Sequence, residues 1–450
     1  MPFLQLFKFK HYIKESIWVV LGQFVTLVGS LVLVRVITSF LTPNEYGQLA
    51  LSLTAVGLIS QIAMNSVSAS IGRFLPVALT RQDLPNFTLA SHKILFLTAV
   101  LSLALGLLLS FILWFNQHED WGILCFLGFT FATISLYNFT ANTVQNAARN
   151  RSIVALHTSL ETWLKVLFGA TAVLLLGATA SSALIGYMFA VGLVLFSQWF
   201  FLKSTFVNKS PIGLTNTQPT QGATQWQHDI WKFAWPFATW GVFTWAHQVS
   251  DLWSLKAFTS TAEVGLYTVI FQLGYAPIIL LNTVVQVLLG PILNQKIEFT
   301  KNKLSSNGGQ SSSNMPTSLQ NSKSVHHTTW VATSLSLVLT TFIFIFVINT
   351  HEWLFSFLVA PEFRSASIYL AYMVLAGGFF SAGHILSLKL ISEFNAKSML
   401  AVKIVTSIIG LILNILGASL YGIVGVIGSM IILSLYYFVW MAWLTWRSPQ

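Results

Sequence analysis

Phe40-Leu-Thr-Pro-Asn-Glu45-Tyr-Gly47 and Phe258-Thr-Ser-Thr-Ala-Glu263-Val-Gly265 are two short polar turns, each directly behind a long apolar run. Their shared Phe, Glu and Gly stand at one offset of 218 (40/258, 45/263, 47/265). A second pair, Asn116-Gln-His118-Glu119 and Asn349-Thr-His351-Glu352, repeats at an offset of 233. The 15 extra residues fit into the Ser/Asn-rich stretch 302–324, which reads as a disordered insertion. Chance likeness of short turns is the alternative. Two matches in the same order, each at a like position among six apolar runs, favour a duplicated six-span unit.

The composition supports spans rather than a soluble core. Of 450 residues, 55% are apolar or aromatic and only 8% are charged, against about 25% charged in soluble proteins. Mean hydropathy is +0.72, which requires lipid contact. One cysteine, Cys125, excludes an internal disulfide and a CxxC metal site. A net charge of +10 suggests nucleic acid or basic cytoplasmic loops; in a chain this apolar the second reading stands.

A membrane helix needs about 20 apolar residues. Twelve segments qualify: 17–41, 46–71, 93–115, 121–142, 152–176, 182–202, 231–258, 264–293, 329–349, 367–392, 398–420 and 421–443. The first lacks a small-residue cleavage site and reads as a retained helix. With the N-terminus inside, 19 of the 23 basic residues fall on cytoplasmic segments, Lys256 and Arg364 on outer ones, and Arg35 and Lys165 within spans. That asymmetry places both termini in the cytoplasm. An even number of spans per repeat gives parallel halves. The expected fold is therefore all-α, with two six-helix lobes: 1–202 and 231–450, joined by a polar cytoplasmic linker, 203–230. Such duplicated bundles suit alternating access to a central cavity.

Charges inside a span cost several kcal/mol and need a reason. Arg35, Glu161, Lys165 and Asp251 are the four read within spans. His157, Glu161 and Lys165 recur every four residues and share one helix face, and His247 and Asp251 are likewise four apart. Asn65 on span two, Asn138 and Asn142 on span four, and Gln286 on span eight extend a candidate polar lining. The bland alternatives are snorkelling for Arg35 and Asp251, mutual neutralisation of Glu161 and Lys165, and helix-joining hydrogen bonds for each amide. His92, His326 and His327 read as solvated. Most tryptophans read as an interfacial belt; Trp240, Trp245 and Trp253 lie deeper and serve either packing or contact with sugar or prenyl chain.

Catalytic signatures fail. His118-Glu119 and His351-Glu352 lack the second histidine of HExxH, and neither a Walker A nor a GxSxG sequence occurs. No catalytic residue, metal site or cofactor is expected, and no nucleic-acid partner. Gly422-Ile-Val-Gly425-Val-Ile-Gly428 reads as close helix packing.

Four passages carry a family resemblance: Leu33-Val-Arg35 through Pro43-Asn-Glu45-Tyr46-Gly47, Ser70-Ile-Gly72-Arg73-Phe74-Leu-Pro76, Ala360-Pro-Glu362-Phe363-Arg364-Ser-Ala366, and Tyr421-Gly-Ile-Val-Gly425. The chain resembles the Wzx-type oligosaccharide flippases of the multidrug/oligosaccharidyl-lipid/polysaccharide exporter superfamily. That resemblance implies a MATE-like fold in a bacterial inner membrane. It implies translocation of an undecaprenyl-diphosphate-linked oligosaccharide to the periplasmic leaflet for O-antigen, capsule or exopolysaccharide, alongside polymerase and assembly proteins. On that reading Arg73 captures the diphosphate and Arg35 and Lys165 receive it further in, with Asn65 and Asn142 in the substrate lining. Glu161 and Asp251, tuned by His157 and His247, are the coupling candidates if H+ or Na+ drives the cycle. The rivals are another exporter of the superfamily (a lipid II flippase or a multidrug exporter) and a membrane-bound O-antigen polymerase or ligase. Short, slightly acidic outer loops disfavour the enzyme.

Overall fold

The computed structural model describes residues 2–209, 219–282, 285, 317–392 and 396–447, and among them every regular element is helical. In chain order these are α1 (Pro2–Thr38), α2 (Pro43–Thr80), α3 (Leu84–Phe115), α4 (Glu119–Ala147), α5 (Arg151–Leu176), α6 (Ala180–Lys209) and α7 (Pro219–Gln248). They continue with α8 (Ser250–Phe258), α9 (Thr261–Asn282), α10 (Thr317–Leu358), a 3-10 turn (Pro361–Tyr369), α11 (Leu370–Ser392) and α12 (Ala396–Arg447).

Ten of the described segments are long and apolar enough to cross a membrane. The two fewer than the sequence suggests have local causes. Spans eleven and twelve form one run, α12, reversed at Gly422 (φ 57°, ψ −136°). A Cβ on Gly417 would stand 2.6 Å from the Gly425 carbonyl oxygen, and Ser429 Oγ donates to the Leu413 carbonyl at 2.7 Å, so the two arms lie face to face. Span seven is divided into α7 and α8, and the amides and histidines of α7 dilute its apolar character.

The surface is unlike that of a soluble protein. Phe111, Phe115, Leu175 and Phe342 are exposed, whereas Ser66, Ser68, Asn138, Gln145, His157 and Gln198 are buried. Apolar side chains turned outward over polar ones turned inward are what a lipid environment selects. The protein is a multi-pass membrane protein.

Two compact units are present: Met1–Lys256 with Ser260–Gly265, and Ala257–Thr259 with Leu266–Gln450. In the first, α1 packs on α5, α5 on α6, α6 on α4, and α4 on both α2 and α3. α7 packs along α2 and α3 in the same unit. Trp226, Ile230 and Ala234 of α7 join Ile71 and Leu75 of α2 and Phe87 of α3 in one buried cluster. In the second unit α11 packs on α10, α12 and the π-helical turn Phe271–Tyr275. The linker read over 203–230 is helical at 203–209 and 219–230; 210–218 lie outside the described residues. So do 302–316 and Gln286, while α10 begins at Thr317, inside the stretch read as an insertion.

The repeat has a structural counterpart. Thr42 Oγ1 accepts the Glu45 N–H at 3.3 Å, and 218 residues later Ser260 Oγ accepts the Glu263 N–H at 3.2 Å. Each is an N-cap at the start of an apolar helix. The two turns also touch reciprocally. A Cβ on Gly47 would meet the Thr261 carbonyl and lie 2.9 Å from Gly265 N; a Cβ on Gly265 would meet the Pro43 carbonyl and lie 3.1 Å from Gly47 N. Pro43 and Thr261 are themselves 218 apart, so equivalent residues exchange equivalent contacts, the mark of a local two-fold relation. Glu45 is also structural: its Oε2 accepts the Ala180 N–H at 2.7 Å, placing a carboxylate at the start of α6.

Candidate functional site

α4, α5 and α6 bring a polar cluster together inside the first unit. Lys165 Nζ donates to Glu161 Oε1 at 2.6 Å, and both side chains are 21% exposed. Asn138 Nδ2 donates to the other carboxylate oxygen, Oε2, at 2.6 Å. Lys165 also stands 5.3 Å from the centroid of the Phe131 ring. Ten residues separate Glu161 from Arg151 at the start of α5, a rise of about 15 Å, half the hydrocarbon thickness. One turn along α4, Asn142 Oδ1 accepts from Gln198 Nε2 of α6 at 2.9 Å. Asn138 Oδ1 and Gln198 Oε1 are buried acceptors without a donor among the described residues. Oxygen acceptors around a partly open carboxylate can hold a proton or a small cation; the ammonium of Lys165 can pair with an anion once the carboxylate is neutralised.

His157 shares this helix face in sequence but serves packing. Its Nδ1 bonds the Ile153 carbonyl at 2.8 Å and its Nε2 bonds Ser197 Oγ at 3.2 Å, with the ring edge-on to Phe201. It is 1% exposed, with both nitrogens engaged away from Glu161.

A second polar seam joins α2 to α7. The stretch Ser60–Ser68 of α2 is a π-helix, a local widening that recurs at functional sites. Gln61 Nε2 donates to Gln248 Oε1 at 2.8 Å, and Asn65 Nδ2 donates to Gln61 Oε1 at 3.1 Å. Trp245 Nε1 donates to the Thr54 carbonyl at 2.9 Å and Trp253 Nε1 to Thr54 Oγ1 at 3.4 Å, so two of the three deep tryptophans hold α2. Arg73 is exposed and lies 4.4 Å over the Phe233 ring. At this end Trp226 Nε1 donates to Asp83 Oδ2 at 2.7 Å, and Arg81 covers the indole.

The remaining candidates are scattered. Arg35 is half-buried in the last turn of α1, where its carbonyl accepts from Ser39 Oγ at 2.8 Å. Asp251 is buried in the first turn of α8, with Oδ1 accepting the Leu252 N–H, and His247 is half-buried in the last turn of α7. Thus Lys165, Glu161 and Asn138 meet, Asn142 adjoins them on α4, and Asn65 and Arg73 belong to the α2–α7 seam.

Two residues escaped the sequence reading. Gln198 is the one amide in the apolar run 182–202, and that isolation was the available signal. Lys389, placed with the cytoplasmic charges, is 0% exposed in the second unit; Nζ bonds His326 Nδ1 at 3.0 Å and the Thr445 carbonyl at 3.4 Å. Its position inside the span 367–392 was the signal. His326 is correspondingly half-buried rather than solvated. Among the described residues no group of three or more His, Cys, Asp or Glu is placed to hold a metal ion.

Residues 12–295 match the model of the polysaccharide biosynthesis protein family. The chain belongs to that family. No curated protein matches it in sequence. Among solved structures, the inward closed lipid II flippase MurJ is 14% identical, with a TM-score of 0.63 over 97% of this chain and 88% of its own. An inward-facing multidrug resistance MATE family transporter of the MOP superfamily is 13% identical (TM-score 0.61, 95% and 96% covered), and an outward-facing one is also 13% identical (TM-score 0.58, 96% and 95% covered). At these identities the likeness shows the fold alone: an all-helical membrane architecture shared with these transporters, all-helical as the apolar runs suggest.

Proposed function

We propose that this member of the polysaccharide biosynthesis family is a flippase. It moves a polyprenyl-diphosphate-linked oligosaccharide from the cytoplasmic to the outer leaflet of a bacterial inner membrane, with both termini cytoplasmic. The observation that carries the reading is the Glu161–Lys165–Asn138 cluster at mid-membrane depth in a chain of this family. A sugar diphosphate is too polar for lipid and needs a cation held ready in the apolar interior. Lys165 is such a cation, restrained by Glu161. Binding of H+ or Na+ at the carboxylate frees the ammonium for the diphosphate, and loss of that ion restores the pair and releases the substrate. Arg73 at the exposed end of α2 makes the first contact with the headgroup, and Arg35 at the far end of α1 the last.

Complementation of a deletion strain tests the residues. Lys165→Glu and Arg35→Glu are expected to abolish glycan export at normal protein level, and Glu161→Gln to remove its dependence on the ion gradient. Normal export by both charge reversals would refute the cationic path.

A further inference from the structure

A groove of about 520 Å³ lies in the first unit beside the α2–α7 seam, bounded by the first turns of α3 and the last turns of α4 and α6. Phe87 and Leu95 of α3, Ala141 and Val144 of α4 and Trp199 of α6 make its walls apolar, and Lys203 stands on its lining near the end of α6. Trp199 is 57% exposed and Lys203 is exposed, so the groove is open to the surroundings on the α6 side. Among the described residues no carboxylate lines it. Of the uncharged polar residues on the lining, Thr88, Ser91, His92, Tyr137 and Thr140, Ser91 stands apart: it is 7% exposed and its Oγ has no hydrogen-bond partner among the described residues. Neighbours on the same helix, Thr88 and Thr98, satisfy their hydroxyls on the Pro85 and Ile94 carbonyls. A buried hydroxyl left unpaired is destabilising, so its place in the groove wall favours a ligand with an acceptor.

We infer that this groove binds one anionic glycerophospholipid of the surrounding leaflet. An acyl chain lies against Leu95, Ala141 and Val144, an ester carbonyl accepts from Ser91 Oγ, and the phosphodiester meets Lys203. Two features favour this occupant over the prenyl chain of a carrier lipid. A prenyl chain is hydrocarbon up to its phosphate and offers Ser91 no acceptor. Lys203 is the one lysine or arginine among the described lining residues, with the imidazole of His92 the other basic group, and one fixed charge matches a single phosphodiester rather than a diphosphate. The site is separate from the Glu161 cluster and its test does not depend on the transported substrate.

The experiment is native mass spectrometry of the purified full chain titrated with four probes: dioleoyl phosphatidylglycerol, its diether analogue, dioleoyl phosphatidylethanolamine and undecaprenyl phosphate. One phosphatidylglycerol is expected to bind about fivefold more tightly than phosphatidylethanolamine, the equivalent of about 1 kcal/mol for one basic residue near an anionic lipid. Lys203→Gln removes that preference. The diester is expected to bind about two- to tenfold better than the diether, the worth of one neutral hydrogen bond, and Ser91→Ala equalises them. Both changes are mild enough to leave folding intact; Ala141→Trp, which fills the groove, lowers all binding. The inference is overturned if Lys203→Gln keeps the preference, if ester and ether bind alike in wild type, or if undecaprenyl phosphate displaces phosphatidylglycerol from the site.

Discussion

Replacing Gly47 by alanine tests the reciprocal contact between the two repeat turns. The added carbon would overlap the Thr261 carbonyl oxygen and stand 2.9 Å from Gly265 N, where ordinary contact begins at 3.4 Å. Even at the nitrogen the backbones must part by about 0.5 Å, and the obstacle is helix backbone that no rotamer change removes. Overpacking of this kind costs about 1–3 kcal/mol, and a rigid carbonyl places Gly47→Ala at the upper end. Gly265→Ala meets the Pro43 carbonyl in the same way, with Gly47 N at 3.1 Å, so the two substitutions are expected to match within about 0.5 kcal/mol. A single separation of the turns relieves both clashes. The double variant is therefore expected to lose less than about 1 kcal/mol beyond either single one, because sites in contact are not additive. Thermal unfolding of the purified chain in detergent reads this as midpoints lowered by roughly 3 °C in each single variant, with little further loss in the double. Unchanged single variants would refute the close approach; full additivity would refute the shared contact.

Three further outcomes follow from particular side chains. Trp226→Phe keeps the ring packing against Phe87 but removes the 2.7 Å bond to Asp83; a loss of about 1.5–3 kcal/mol is expected for a bond to a charged acceptor, read by thermal unfolding. Lys165→Met leaves the Glu161 carboxylate with Asn138 alone, and a pair 21% exposed falls between surface and fully buried values, so about 2 kcal/mol is expected. Adding Glu161→Gln should restore most of that stability without restoring glycan export; a double-mutant cycle with no coupling contradicts the pair. Lys389→Met deprives His326 Nδ1 and the Thr445 carbonyl of their donor, with an expected loss of about 1–3 kcal/mol, checked by the same unfolding measurement.

What could be read in advance was what repeats along one helix or from helix to helix. Glu161 and Lys165 are four apart, so their pairing needed only the helical period, and the turn at 40–47 announced its partner at 258–265 through a constant offset. Contacts that cross between helices were not legible. Nothing in the order of residues says that Asn138 reaches Glu161 while His157, on the same face, turns to Ser197. Side-chain direction on a helix is set by the neighbours it meets, and those are fixed only by packing. Lys389 shows the converse: a lysine near a span end is ordinarily free to reach the interface, yet the α10–α12 packing around Leu386, Tyr437 and Met441 covers it. The polar composition of 203–230 likewise did not announce that its Thr and Gln residues belong partly to the first turns of α7, whose Trp226 anchors it to α3.

The most direct test of the flippase reading is the leaflet location of the complete lipid-linked oligosaccharide, followed in spheroplasts of cells lacking this chain with a sugar-oxidising reagent that does not cross the membrane. The account predicts glycolipid protected on the cytoplasmic side, with exposure restored by the wild-type chain and not by Lys165→Glu. Full exposure of single repeat units in the deletion strain, with only their polymerisation or transfer failing, would contradict it and point to an enzyme acting after translocation.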